Sequence, residues 1–416
     1  MSRFSHARAL LTGSGLATLA LLSSLNTARA DSAVLARGEY LARASDCEAC
    51  HTAPGGVPFA GGRAFNVPGM GVLYSSNITP DPKHGIGKWT DEEFTRSVRE
   101  GISPGWKHLY PAMPYPAYAR MSPAEVKDLR AWLATVPKSA NTPPANRLRF
   151  PFSIRAIMIG WNLLNGPRSS YPDDPSKSAE WNRGRTLVEG PGHCADCHSP
   201  RTLTSGLSTS RAFAGNTING LRAYNITPDR TSGIGGWTDE ALAQYLATGH
   251  ADGHGTASAD MAEVITYSLR HLTPGDIRAM VTYLRDLKPV ASDDAPAPSR
   301  VIVSNNGTVP QNTRGGRLFV SACAGCHLAD GSGRQTPYAN IAGARSLSAN
   351  DGHNLIRIIM DGSSLTTRDG STHAMPGFAG GGYSRKDLTD ITSFVMTHFT
   401  EATPSEAALN KAMDAK

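Results

Sequence analysis

The pattern Cys-x-x-Cys-His occurs three times in this 416-residue chain, at residues 47–51, 194–198 and 323–327, and it uses all six cysteines. Positions i, i+3 and i+4 share one face of a helical turn, so each copy presents two thiols and an imidazole to the same side. That is the attachment chemistry of c-type haem. Cys47, Cys50, Cys194, Cys197, Cys323 and Cys326 would form thioethers to vinyl groups, and His51, His198 and His327 would ligate iron. One copy alone could be a redox dithiol or half of a zinc site. Three copies, each followed by histidine and with no cysteine left over, point to three covalent haems and to electron transfer.

Residues 1–30 have the pattern of a secretory signal. Arg3 and Arg8 open the segment, residues 9–25 carry no charge, and Ala28-Arg29-Ala30 supplies a small-x-small cleavage site. Export agrees with haem c, which is attached outside the cytoplasm, and a bacterial periplasm is the expected setting. The formal charge of +6 is partly the leader's: removing its three arginines leaves 38 basic against 35 acidic residues. With no basic run or basic–aromatic stripe, nucleic-acid binding is excluded. Beyond the leader, the most apolar stretch is 154–164. It is about half the length needed to span a bilayer and contains Arg155. It could lie in a membrane interface, but the expected use is to cover a seam between domains. Residues 403–416 read as a weak polar helix.

An internal repeat organises the rest. Residues 77–92 read NITPDPKHGIGKWTDE and residues 225–240 read NITPDRTSGIGGWTDE, an offset of 148. Each unit is expected to open with a helix before its haem motif (35–46, 181–189 and 313–322). Each closes with a capped amphipathic helix beginning at Ser122, Thr273 or Ser384 and carrying Trp132, Tyr283 or Phe394. Gly38, Gly184 and Gly316 would let opening and closing helices approach. The domains are then 31–137, 178–288 and 313–400, joined by linkers 138–177 and 289–312, with a tail at 401–416. Residues 138–177 are expected to lie on the protein surface. Haem supplies much of each small core, so the apo-protein is expected not to fold.

A six-coordinate haem needs a second axial ligand, usually Met or His. Met113 plus 148 is Met261, and no other first-unit methionine maps in this way; Met375, in Ala-Met-Pro like Met113, serves the third unit. All three are expected on loops folding back over the iron. Met121, Met280 and Met360 fit core packing better. His108, His254 and His373 are the alternatives for bis-histidine ligation, although His108 plus 148 falls on Thr256. Trp89 and Trp237 are either core aromatics or donors to a haem propionate. Asn77 and Asn225 are turn residues before Pro80 and Pro228 rather than glycan sites.

The chain resembles the triple-haem cytochrome c subunit of bacterial membrane-associated dehydrogenases for alcohol, gluconate, sorbitol, fructose or aldehyde. The three haem motifs, both Asn-Ile-Thr-Pro-Asp segments, Gly-Ile-Gly-x-Trp and the stretches 109–115, 150–152, 178–184 and 261–264 carry the resemblance. It implies a mainly α fold of three tandem class I cytochrome c-like domains, each built around one covalent haem c. It also implies a catalytic partner, a flavoprotein or a quinone-cofactor enzyme, that oxidises the substrate, so no catalytic residue is expected in this chain. Ubiquinone is the implied acceptor, with peripheral association at the periplasmic face of the inner membrane. A molybdoprotein hydroxylase as partner, or a free carrier serving a terminal oxidase, are the alternatives.

Overall fold

The computed structural model describes residues 31–166, 172–218, 220–293, 308–400 and 402–415; the expected leader and parts of both linkers lie outside them. Helices dominate, accompanied by five small antiparallel sheets of two or three strands. Each Cys-x-x-Cys-His motif lies between an opening and a closing helix. The opening helices span 31–44, Ala179–Glu189 and Arg314–Ala322, and the closing helices Pro123–Leu133, Pro274–Asp286 and Arg385–Phe399.

The closing helices start where their caps dictate. Ser122 and Ser384 form reciprocal capping boxes with Glu125 and Asp387, and the Thr273 hydroxyl accepts from the Asp276 N–H. Each then buries a stripe at helical spacing: Val126, Leu129 and Leu133; Ile277, Met280 and Leu284; Leu388, Ile391 and Val395. A fully buried side chain of this kind contributes about 1.5–3 kcal/mol.

One crossing geometry recurs in all three helix pairs. A Cβ added at Gly38 would lie 2.1 Å from the Asp128 carbonyl, at Gly184 1.9 Å from that of Ala279, and at Gly315 2.2 Å from that of Asp390. Each carbonyl belongs to the sixth residue after the cap, and the aromatic at the tenth, Trp132, Tyr283 or Phe394, lies against the same glycine. In the third pair the contact is therefore made by Gly315. Gly316, the glycine expected from sequence, faces the Pro310 carbonyl and the edge of the Phe394 ring instead. The three contact glycines each follow an arginine. Arg37 pairs with Asp128 (2.6 Å), Arg183 with Asp276 (2.7 Å) and Arg314 with Asp387.

Helices Asp91–Glu100 and Asp239–Thr248, capped by Thr90 and Thr238, end at left-handed Gly101 and Gly249 and lead into two-residue hairpins. The third unit follows helix His353–Asp361 and Gly362 with the longer hairpin Ser363–Thr366/Thr372–Met375. Two of the three methionines are consequently not on loops: Met261 lies in helix Ala259–Tyr267, and Met375 ends a strand.

The described residues of 138–177 contact the neighbouring units. Arg147–Leu148 adds a strand to hairpin Ala64–Val67/Gly71–Tyr74. Helix Ile157–Asn165 bridges the first two units: Asn162 accepts from the Tyr115 hydroxyl (2.6 Å), and the Trp161 indole donates to the Thr204 carbonyl (2.9 Å). Asn77 and Asn225, both buried, hold the chain after the closing helix by donating to the carbonyls of Ser139 (2.8 Å) and Val290 (2.7 Å). At the C-terminal end, helix Glu406–Asp414 buries Leu409, Ala412 and Met413 in the third core.

The crossing geometry predicts that Gly184→Ala lowers the stability of the haem-loaded protein by about 1–3 kcal/mol, an overpacking cost. Gly275→Ala, whose added methyl meets only the Thr273 hydroxyl oxygen at 3.8 Å, is expected to be neutral or stabilising. Denaturant unfolding followed by haem absorbance separates the two. Hydrogen bonds from Ser384 and the Arg314 guanidinium lower the Asp387 carboxyl to about 2. Its contribution is present above the ordinary carboxylate range and is lost as pH falls through that value. The unfolding midpoint of the parent should therefore fall more steeply with acid than that of Asp387→Asn.

Candidate functional site

The three motifs fold as short helical turns at Cys47–Cys50, Cys194–His198 and Ala324–His327, so that thiols and imidazole converge as their spacing requires. Left-handed Asp46 and His193 turn the chain sharply from the opening helix into the first two. The cysteines form no disulfide. Burial pushes the thiols of Cys47, Cys50, Cys194 and Cys197 up to about 12 and that of Cys323 to about 11. A redox dithiol needs the opposite shift, toward thiolate. Nor does a zinc site assemble: among the described residues no three His, Cys, Asp or Glu side chains gather as a metal cluster.

The imidazoles share one environment. Nδ1 lies 2.7 Å from the Ser76 carbonyl oxygen in His51, 2.6 Å from that of Tyr224 in His198, and 2.7 Å from that of Ala339 in His327. A carbonyl can only accept, so Nδ1 carries the proton and Nε2 keeps its lone pair, the arrangement of a metal-ligating histidine. Burial lowers the pKa of His51 and His327, which favours the neutral ring that ligation needs.

The acceptor carbonyls are positioned by a device that repeats three times. Each belongs to the residue before an Asn-Ile pair, and the asparagine oxygen accepts from the N–H two residues on: Asn77 from Thr79 (2.9 Å), Asn225 from Thr227 (2.8 Å), Asn340 from Ala342 (2.8 Å). This Asx turn aims the preceding carbonyl. The long repeat marks Asn77 and Asn225. The third Asn-Ile, at 340–341, is too short a match to be noticed without the structure.

The candidate methionines reach the same places. Met113, Cys47 and Trp89 each pack against the first apolar cluster, and Met375 and Cys323 against the third. In the second unit a cavity of about 270 Å³ is lined by Cys194, Cys197, His198, Trp237, His254 and Met261. Its walls also include Ala44 and Asp46 from the first unit and residues 343–346 from the third, contributions that no single-unit reading of the sequence contains. Met121 and Met280 are fully buried core residues, and Met360 packs on the third cluster.

The distal histidines differ from one another. His108 is engaged by the Asn162 amide (3.0 Å), His254 stacks on Trp237 within the cavity (3.6 Å between centroids), and His373 stacks on Tyr338 (3.9 Å). Trp89 and Trp237 occupy equivalent places: their carbonyls accept from Arg130 and Arg285 of the closing helices. Paired motif thiols, Nδ1-anchored imidazoles and, in the second unit, a thioether in the same apolar cavity are a donor set that fits haem c.

The units are held together close to the motifs. Arg63 donates to the Ala49 carbonyl (2.7 Å) within the first motif and pairs with Glu263 (Nη2–Oε2 3.0 Å), two residues from Met261. Ser268 donates to the Ala44 carbonyl (3.2 Å). On the other side, Asn354 closes a two-way bond with the backbone of Arg222 (2.8 and 2.9 Å).

Comparison with known proteins agrees with this geometry. The family model for cytochrome c matches residues 313–399, and that for subunit III of cbb3-type cytochrome c oxidase matches residues 33–133. The fructose dehydrogenase cytochrome subunit of Gluconobacter japonicus is 38% identical over 96% of this chain and 88% of its own length. The gluconate 2-dehydrogenase cytochrome c subunit of Pantoea cypripedii is 35% identical, over 88% and 86%. A nicotinate dehydrogenase subunit of Pseudomonas putida is 36% identical over 90% of this chain, which spans 31% of that protein. The chain belongs to the family of cytochrome c subunits of bacterial dehydrogenases, whose cytochrome c domains bind haem covalently.

Proposed function

We propose that this chain is the triple-haem c electron-transfer subunit of an exported dehydrogenase complex. Electrons enter from a partner flavoprotein that oxidises a sugar, alcohol or aldehyde, and leave for the respiratory chain at ubiquinone. The protein works in the periplasm, at the periplasmic face of the inner membrane. The observation carrying this reading is the threefold clamp of a motif histidine by the carbonyl before an Asn-Ile turn, at His51, His198 and His327. The cytochrome subunits of fructose and gluconate dehydrogenases among its relatives support a dehydrogenase as partner.

When bound, haem c supplies a one-electron iron couple in an apolar setting. The chain's residues would hold and tune it. The six cysteines would fix it covalently, and His51, His198 and His327 would offer Nε2, made more basic by the Nδ1 hydrogen bond. Met113, Met261 and Met375 would offer thioethers to the iron, which raise the potential relative to histidine. A second reading pairs the same protein with a molybdenum hydroxylase acting on aldehydes or N-heterocycles, and the nicotinate dehydrogenase relative favours it.

Three measurements test these assignments. Haem assay with intact mass should give three haems per chain; two would overturn the count. Met113→Ala, Met261→Ala or Met375→Ala should each lower one midpoint potential and open one iron to carbon monoxide, whereas an unchanged titration would remove that methionine from the ligand set. Asn340→Ala should raise the potential of the third centre with haem content unchanged, because His327 loses its aligned acceptor. Purification from native membranes then identifies the partner: a flavin spectrum in the large subunit supports the first reading, molybdopterin the second, and a lone soluble cytochrome overturns both.

A further inference from the structure

A helix that begins without a side-chain cap, and through a residue in a strained conformation, has to be held in place by its surroundings. Helix Ala259–Tyr267, which carries Met261, begins in this way. The Ser258 side chain makes no capping bond, and Ala259 adopts a left-handed φ of 50°. One stripe at helical spacing, Met261, Val264 and, just past the helix end, Ser268, lines the second-unit cavity together with residues 258–260. Ala262 and Ile265 are buried in the core of their own unit.

The polar groups of this helix are engaged from the other two units. From the first, Arg63 clasps the Glu263 carboxylate with both terminal nitrogens, while Nη1 also donates to the Ala49 carbonyl inside the first cysteine motif (2.7 Å). Arg63 is itself bonded through its backbone to Ser75 (3.0 Å in each direction), the residue before the Ser76 carbonyl that engages His51. Ser268 donates to the Ala44 carbonyl (3.2 Å). From the third unit, the Ser363 hydroxyl accepts from the Ala259 N–H (3.3 Å), and the Thr366 N–H donates to the Thr266 hydroxyl (2.9 Å). Ser363 is also the strand partner of Met375. The other two methionines are placed by their own units: Met113 by backbone bonds to Tyr110 (3.2 Å) and Tyr115 (2.8 Å), Met375 by its hairpin.

We propose that Arg63 and Glu263 are positioning residues for the second haem centre: the pair sets the place of the Met261 thioether, so that ligation and potential in the second unit depend on the docking of the first. This deepens the function proposed above and rests on its reading of Met261 as a sixth ligand. A thioether held less firmly occupies the iron for less of the time, which lowers the potential and admits carbon monoxide.

The test is a potentiometric titration of the haem-loaded full chain, with carbon monoxide binding as a second readout. Met261→Ala first identifies the midpoint that belongs to the second centre. Glu263→Arg, which sets a cation against Arg63, should lower that midpoint and raise the share of its iron open to carbon monoxide about tenfold, with the other midpoints and the haem content unchanged. Adding Arg63→Glu re-forms the pair with its charges exchanged and should restore most of both. Lys177→Ala, which removes the ion pair with Asp286 in the same unit, should move neither. If Glu263→Arg does not load its haems, Glu263→Ala and Ser363→Ala decide by the same readouts. A second centre that behaves as in the parent overturns the proposal and leaves Met261 as ligand. A loss that Arg63→Glu does not restore gives Glu263 a local structural role and also overturns it. A Met261→Ala variant that moves no midpoint overturns the ligand assignment itself, and the positioning with it.

Discussion

At each crossing of an opening and a closing helix a glycine lies against a carbonyl with no room for a side chain, and most of the rest hangs on it. Where the opening helix presents Gly38, Gly184 or Gly315, the closing helix sets the carbonyl of the sixth residue after its cap, with an aromatic one turn further along. The opening helix runs directly into the cysteine motif, so its crossing point with the closing helix fixes where the thiols begin. The arginine beside each glycine pins the same crossing electrostatically. The exposed part of such pairs adds little by itself; the steric fit does most of the work.

On that frame the chain places one acceptor carbonyl per histidine, and it uses the same local chemistry each time. An asparagine that bonds two residues ahead is among the cheapest ways to fix a turn, and here it orients a carbonyl rather than a side chain. The middle site goes further. Its cavity borrows Ala44 and Asp46 from the unit before and residues 343–346 from the unit after. Arg63–Glu263 and Asn354–Arg222 join the three stretches near that cavity.

Much of this was legible because it is local. The cysteine motifs, the hydroxyl caps at Ser122, Thr273 and Ser384, and the buried turns at Asn77 and Asn225 follow from a few neighbouring residues. The misses have physical causes. Gly315 and Gly316 are indistinguishable by composition; only the Arg-Gly dipeptide shared with Arg37-Gly38 and Arg183-Gly184 separates them. Hairpins with two-residue strands, such as Ile102–Ser103/Lys107–His108, are too short for an alternating pattern. Met261 sits on a helix because Ala259–Tyr267 packs against neighbouring units, and pairs such as Arg63–Glu263, 200 residues apart, leave no trace in sequence order.

Burial pushes the cysteine thiols of the first two motifs up to about 12, and a protonated thiol is a poor nucleophile. The middle pocket takes its walls from segments about 300 residues apart, so it exists only once all three units have come together.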